Sequence, residues 1–117
     1  MACRKALQDC SREMNKLCMK ILEVLGLSLG VGRSTFRDFY SDNESLFGVN
    51  YYPLCPKPEL TLGTGPHFDP TSLTVLHQDQ IAGLQVCVDG KWYTVSPRPN
   101  TVVINVGDTF MVILSNK

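Results

Sequence analysis

The sequence predicts a mainly β domain preceded by helices, and three observations support this prediction. Up to about residue 45 the apolar residues recur every three or four positions, which indicates amphipathic helix. After Leu46 they alternate and include many β-branched types, which indicates strands. Turn residues separate these closely spaced strands, which favours a β-sandwich or barrel. We therefore expect a helical segment over residues 1–45 and a β domain over residues 46–117.

The helical part should contain two helices. The first is expected from Ala2 to Leu25, with Gly26 as its stop. Its apolar stripe consists of Leu7, Cys10, Met14, Leu17, Ile21 and Leu25. A glycine-rich connection, SLGVGRS, follows. The stretch STFRDFYSDNES then predicts a second, short helix capped by Ser34 or Thr35.

The β part should contain five strands and a closing helix. LFGVNYY predicts a short strand that stops at Pro53, and the proline-rich YYPLCPKPEL after it predicts a rigid extended segment. SLTVLHQ predicts a second strand. GLQVCVDGKWYTV predicts two strands joined by a turn at Asp89-Gly90, because Asp-Gly is a strong hairpin signal. TVVINVG predicts a strand buried on both faces, and DTFMVIL a short helix capped by Asp108.

Composition excludes several classes of function. The formal net charge is zero, which argues against binding to nucleic acid or a membrane surface through bulk charge. No apolar run approaches the ~20 residues of a membrane span. The five cysteines form no C-x-x-C pair, so we expect reduced thiols in a cytoplasmic protein and no zinc site. The glycines do not form a phosphate-binding loop.

The stretch GTGPHFDPTSLTVLHQD holds the residues best suited to chemistry. If His67 and Asp69 lay in a strand, both side chains would face one side and Phe68 the other. One imidazole nitrogen and one carboxylate oxygen could then bind the same ion. With a second histidine from a distant strand they would form the facial triad of non-haem iron(II) oxygenases. On spacing alone, a surface turn with a polar histidine is the favoured interpretation.

The surrounding residues favour the interpretation of His67 and Asp69 as metal ligands over that of a surface turn. The motifs that carry the comparison are N-Y-Y-P, L-T-L-G-T-G-P-H, D-P-T-S-L-T, L-H-Q-D, G-L-Q-V and N-V-G-D-T, all between residues 50 and 109. Together they closely resemble the plant 2-oxoglutarate/Fe(II)-dependent dioxygenases, and within that family the gibberellin 20-oxidases. The helical stretch EVLGLSLGVGRSTFRDFY is also similar to the segment before the barrel in that family. The resemblance covers nearly the whole chain.

The resemblance implies a double-stranded β-helix, or jelly roll, with helices outside. It implies that His67 and Asp69 bind Fe(II), and that Asn50 and Tyr52 contact 2-oxoglutarate, since an amide and a phenol can both donate to a carboxylate. The alternative for Tyr52 is an aromatic residue that ends a strand in the core. The resemblance further implies ascorbate as reductant, a gibberellin precursor as substrate, and no catalytic residue beyond the metal ligands.

The sequence also departs from the family pattern. We expect the distal histidine of the triad, and the arginine and serine that clamp the cosubstrate, to be missing from these 117 residues, so that the jelly roll is incomplete at its C-terminal end. The only other histidine, His77, belongs to L-H-Q-D and is expected to be structural. Phe68 replaces the cysteine common in close relatives, and the N-terminal L-P-W-K-E-T motif is not found.

Three hypotheses therefore remain open at this point. The chain could represent a fragment of a gibberellin 20-oxidase-like enzyme. It could be a truncated relative that no longer catalyses and acts as a binding or interaction protein. It could also be an unrelated β-sandwich binding module with a coincidental H-x-D. On the first two hypotheses, we expect no activity from the 117 residues alone.

Overall fold

The computed structural model describes residues 2–42 and 45–115, which fall into two compact units, Met1–Pro66 and His67–Lys117. The first unit contains helices α1 (Ala2–Ser28) and α2 (Thr35–Tyr40) and a short 3-10 turn, Pro58–Leu60. The second contains strands β1 (Leu73–Leu76), β2 (Gln85–Val88), β3 (Lys91–Thr94) and β4 (Val103–Val106), followed by helix α3 (Asp108–Ser115). The described part of the chain thus combines helices with antiparallel strands. The prediction of a mainly β fold is not met.

Helix α1 confirms the predicted first helix but runs past Gly26 to Ser28. The chain leaves the helix through a Schellman motif, in which Val31 donates to the Gly26 carbonyl and Gly30 donates to the Leu27 carbonyl, each at 3.1 Å. Gly30 has the left-handed φ of 69° that this motif requires. Gly26 is therefore not the stop. Its missing side chain lets the loop approach, because a Cβ there would lie 2.4 Å from the Gly32 carbonyl oxygen.

Helix α2 packs against α1 through buried side chains and an ion-pair cluster. Leu22 of α1 and Phe36 of α2 are the buried apolar residues of this unit among the described ones. Glu23 of α1 binds Arg37 at 2.9 Å and Arg33 at 3.2 Å. The helix begins after Ser34 as predicted, although the Ser34 side chain makes no capping hydrogen bond.

The strands form two separate two-stranded antiparallel sheets among the described residues. β1 pairs with β4 so that Leu73 lies opposite Val106 and Thr74 opposite Asn105. β2 pairs with β3 as a hairpin, and Asp89 and Gly90 form its turn with φ values of 50° and 74°. This turn confirms the Asp-Gly prediction, because both central residues take the left-handed conformation of a type I′ turn.

Three strand and helix predictions need correction. LFGVNYY is not a strand, and its apolar side chains are exposed because no described strand pairs with it. β4 is not buried on both faces, since Ile104 and Val106 are exposed while Val103 and Asn105 are half-buried. Helix α3 confirms the predicted closing helix, but Asp108 is its first residue and Gly107 takes the cap position.

Among the described residues of the second unit, Phe110 in the first turn of α3 has a fully buried side chain, which is 0% exposed. No helix of the described residues is both long and apolar enough to cross a bilayer.

All five cysteines are free thiols, and partial burial raises the pKa of the Cys18 thiol.

Candidate metal centre

The predicted ligands His67 and Asp69 lie side by side immediately before β1. The Nε2 atom of His67 is 3.6 Å from Oδ1 of Asp69, and their side chains are 61% and 23% exposed. The segment that carries them is irregular, because β1 begins only at Leu73. The strand argument for their spacing was therefore wrong, although the two side chains do face each other. Phe68 between them is exposed and does not fill a core on the opposite side.

The backbone of this segment is tied to the turn that follows β4. The Asp108 N–H donates to the Asp69 carbonyl at 2.9 Å, and the Gly107 N–H donates to the Ser72 carbonyl at 3.0 Å. The Thr109 hydroxyl donates to the Pro70 carbonyl at 2.6 Å. Three hydrogen bonds thus fix residues 69–72 against the Gly-Asp-Thr turn. The ligand segment is held by a remote part of the chain rather than by its own local structure.

Gly107 is the residue that makes this contact possible. A Cβ at position 107 would lie 1.9 Å from the Thr71 carbonyl oxygen and 2.8 Å from the Asp69 carbonyl oxygen. Real Cβ atoms do not approach backbone oxygens that closely, so any other residue must push the two segments apart. The glycine is required here by close backbone approach.

The carboxylate of Asp69 has a second polar neighbour on β4. The side-chain Nδ2 of Asn105 donates to Asp69 Oδ2 at 3.4 Å. The two carboxylate oxygens therefore have different surroundings: Oδ2 faces an amide donor and Oδ1 faces the His67 ring. This arrangement leaves Oδ1 as the oxygen that could bind an ion together with His67.

The pair fits a first-row metal ion on geometry and on donor chemistry. Ligand atoms that each lie ~2.1 Å from one ion are at most ~4.2 Å apart, so the 3.6 Å separation allows shared coordination. Imidazole nitrogen suits iron and zinc, and a carboxylate adds a hard oxygen. Within residues 2–42 and 45–115 no cluster of three or more His, Cys, Asp or Glu side chains could hold a metal. That His67 and Asp69 bind a metal stays a prediction.

The other histidine lies in different surroundings. His77 follows β1 and lines an open surface pocket with Asp79, Pro97 and Arg98, and neither His67 nor Asp69 lines that pocket. The Asp79 carboxylate there accepts the backbone N–H of Ile81 at 2.8 Å. The expectation that His77 is structural stays a prediction.

The two residues expected to contact 2-oxoglutarate belong to the first unit. Asn50 and Tyr52 are both exposed, and Tyr52 therefore does not fill a core in the described structure. The Tyr52 phenol shares a 3.0 Å hydrogen bond with the Thr64 hydroxyl. Its ring lies against Gly63, where a Cβ would come within 3.0 Å of a ring carbon. The L-G-T-G stretch thus orients this tyrosine, while its cosubstrate role stays a prediction.

Sequence reasoning missed the residues that support the ligand pair, namely Asn105, Gly107 and Thr109. A signal for Asn105 was available, because it is the one amide in the apolar run VVINV. Gly107 and Thr109 lie in the G-D-T motif, but the motif alone did not show which backbone they contact.

The chain matches a known protein family and is similar to several known enzymes. The sequence profile of the 2OG-Fe(II) oxygenase superfamily matches residues 43–117. The chain is 55% identical to gibberellin 20 oxidase 3 of Arabidopsis thaliana over 97% of its own length and 30% of that protein. It is 54% identical to gibberellin 20 oxidase 1-B of Triticum aestivum over 90% of its length, and 54% identical to gibberellin 20 oxidase 2 of Oryza sativa subsp. indica over 94%. It spans about 30% of the length of such relatives. An unrelated β-sandwich is thereby excluded.

Proposed function

Because the chain belongs to the 2OG-Fe(II) oxygenase superfamily, we propose that it represents a fragment of a gibberellin 20-oxidase-like enzyme. Such an enzyme would oxidise a gibberellin precursor with dioxygen and 2-oxoglutarate. The identity to several gibberellin 20 oxidases supports this substrate class. Residues 1–45 would pack outside a jelly roll, and residues 46–117 would form its N-terminal part.

The observation that carries the proposal is the 3.6 Å approach of His67 Nε2 to Asp69 Oδ1. A neutral imidazole can donate its lone pair to Fe(II), and the carboxylate supplies a negative charge that offsets part of the metal charge. The exposure of His67 leaves room for further ligands on the solvent side. The close backbone contacts around Asp69 hold the carboxylate ready for an ion.

When bound, Fe(II) and 2-oxoglutarate supply the oxidative chemistry, in which the cosubstrate loses carbon dioxide and becomes succinate. The residues of this chain would bind and orient these groups. His67 and Asp69 would hold the ion. Asn50 and Tyr52 would donate hydrogen bonds to a cosubstrate carboxylate, and the Thr64 hydroxyl would fix the direction of the Tyr52 phenol. Ascorbate would serve as the external reductant.

The test is to express the complete protein encoded by the open reading frame that contains residues 1–117. This protein is supplied with ferrous iron, ascorbate, 2-oxoglutarate and a gibberellin precursor. We expect one succinate for each oxidation step on the gibberellin, and neither product from His67→Ala. Succinate that forms equally well with the His67→Ala variant would refute the assignment of the metal pair. Succinate without any oxidised gibberellin would refute the substrate class alone.

A further inference from the structure

We propose that Asn105 is a positioning residue for Asp69: its side-chain amide holds Oδ2 and so presents Oδ1 to the ion shared with His67. This inference rests on the proposed function, since it concerns the same ligand pair. It adds a residue that lies outside the H-x-D motif and would not itself touch the ion, the cosubstrate or the substrate.

The two oxygens of the Asp69 carboxylate have different polar neighbours. Asn105 Nδ2 lies 3.4 Å from Oδ2, while His67 Nε2 lies 3.6 Å from Oδ1. The Asp69 carboxylate can turn about its terminal torsion, which is broad and roughly two-fold. A donor on one oxygen restricts that rotation, so the other oxygen keeps a fixed direction. The amide thereby favours binding through a single oxygen.

Strand pairing holds Asn105 itself in place. It lies on β4 opposite Thr74 of β1, and the paired backbone of the two strands fixes the direction in which its side chain leaves the sheet. The side chain is half-buried, and it alternates with the exposed Ile104 and Val106. A half-buried amide loses water contacts, so a carboxylate acceptor compensates for its partial burial.

Asn105 is also connected through a short stretch of backbone to the turn that follows β4. Asn105 is two residues before Gly107, which lies against the Asp69 and Thr71 carbonyls, and four before Thr109, which binds the Pro70 carbonyl. The backbone around Asp69 and its side chain are thus held by the same short stretch, residues 105–109. A side-chain contact at the end of such a rigid connection has a defined geometry, which positioning requires.

The experiment compares three variants of the purified protein. Asn105→Leu has a similar shape and removes the donor, whereas Asn105→Gln keeps an amide. Thr74→Val is the matched control, because Thr74 lies directly opposite Asn105. The Thr74 hydroxyl lies 3.2 Å from the Thr71 hydroxyl. Each protein is titrated with Co(II) alone, and the visible ligand-field absorption gives the dissociation constant and reports the coordination.

We expect Asn105→Leu to weaken Co(II) binding ~10–100-fold and to change the absorption envelope, as loss of a partner to a metal ligand typically does. Asn105→Gln should recover part of this loss, and Thr74→Val should bind like the parent protein. A change under ~2-fold for Asn105→Leu, or an equal loss for Thr74→Val, would overturn the inference. Failure of the parent itself to bind Co(II) more tightly than His67→Ala would overturn the metal assignment, and this inference with it.

A second measurement needs no metal and covers the case in which Asn105→Leu does not fold. In the nuclear magnetic resonance spectrum of the metal-free protein, the Nδ2 protons of Asn105 should be shifted by the carboxylate. Asp69→Asn should move these resonances, whereas Asp79→Asn should leave them in place. Unmoved Asn105 amide resonances in Asp69→Asn would contradict the contact on which the inference depends.

Discussion

The backbone N–H of Asp108 donates to the carbonyl oxygen of Asp69 at 2.9 Å, which joins the start of α3 to the segment that carries both predicted ligands. The Asp69 backbone is held by this bond, while its side chain lies between His67 and Asn105. The placement of His67 and Asp69 therefore depends on two segments that are distant in sequence.

Gly107→Ala should destabilise the protein by ~2–3 kcal/mol, because the new Cβ would meet the Thr71 carbonyl and force the two segments apart. Urea unfolding measures this change in the free energy of unfolding. Gly83→Ala is the control, since a Cβ there meets nothing within 4 Å. Equal stability of the two variants would show that the turn can relax without cost.

His67→Ala and Asp69→Ala should each weaken the binding of Co(II) or Fe(II) by at least ~10-fold, because each removes a ligand and not merely a neighbour of one. His77→Ala should bind like the parent protein, which makes it a matched control for the loss of a histidine. Isothermal titration measures the three affinities. A larger loss for His77→Ala than for His67→Ala would mean that the ion binds in the pocket beside Asp79 and Arg98 instead.

The polypeptide of residues 1–117 should produce no succinate from 2-oxoglutarate above a His67→Ala control. The chain has two histidines, and if His77 is structural, only His67 and Asp69 remain as protein ligands where the facial triad needs three. The resemblance also places the arginine and serine that clamp the cosubstrate outside these residues. The assay uses ferrous iron, ascorbate and 2-oxoglutarate with and without a gibberellin. Succinate that depends on His67 would show that His77 or a second copy of the chain completes the site.

Tyr52→Phe and Thr64→Val should both weaken the affinity for 2-oxoglutarate, the first by removing a donor and the second by releasing the phenol from its 3.0 Å hydrogen bond. Each change removes a hydrogen bond whose net contribution is ~1 kcal/mol, or about five-fold in affinity. Titration of the Co(II)-loaded complete protein with 2-oxoglutarate gives the dissociation constants. Tyr51→Phe, which alters the neighbouring exposed tyrosine, should have no effect.

Asp38→Asn should destabilise the helical unit at neutral pH and have a smaller effect in acid. The hydrogen bond from Arg37 is the main cause that lowers the pKa of the Asp38 carboxyl, and a further one from Ser34 adds to it. A carboxyl whose pKa is lower in the folded state stabilises that state above its ordinary pKa, and the contribution is lost as the pH falls through the lowered value. Melting curves at pH 7 and pH 2 measure the difference, with Asp42→Asn as the control. A larger effect at pH 2 would contradict this sign.

Local signals in the sequence predicted the elements whose causes are local. Helix α1 and the Asp-Gly turn between β2 and β3 depend on neighbours within a few residues, and both were confirmed. The strand predicted for LFGVNYY was wrong because strand propensity needs a partner to pair with, and none of the described strands pairs with it. Propensity for strands mainly reports packing on neighbouring strands.

The site shows the same distinction. His67 and Asp69 could be named from the sequence, because both residue types and their close spacing are visible in the H-F-D motif. Asn105 could not, since its contact with Asp69 spans a separation of 36 residues. Only the register of β1 with β4 brings Thr74 and Asn105 opposite each other, and register follows from tertiary packing.

That long separation also sets the order of events when the protein is made. The Thr109 contact to Pro70 spans 39 residues, so the H-x-D segment leaves the ribosome well before the residues that fix it. At ~5–20 residues per second, several seconds pass during which both ligands are present but unanchored. Contacts of such high sequence separation also form late in folding, because the intervening chain must first be closed into a loop. If the pair binds iron as proposed, the geometry shown by the structure is reached only once β4 and the turn after it have docked.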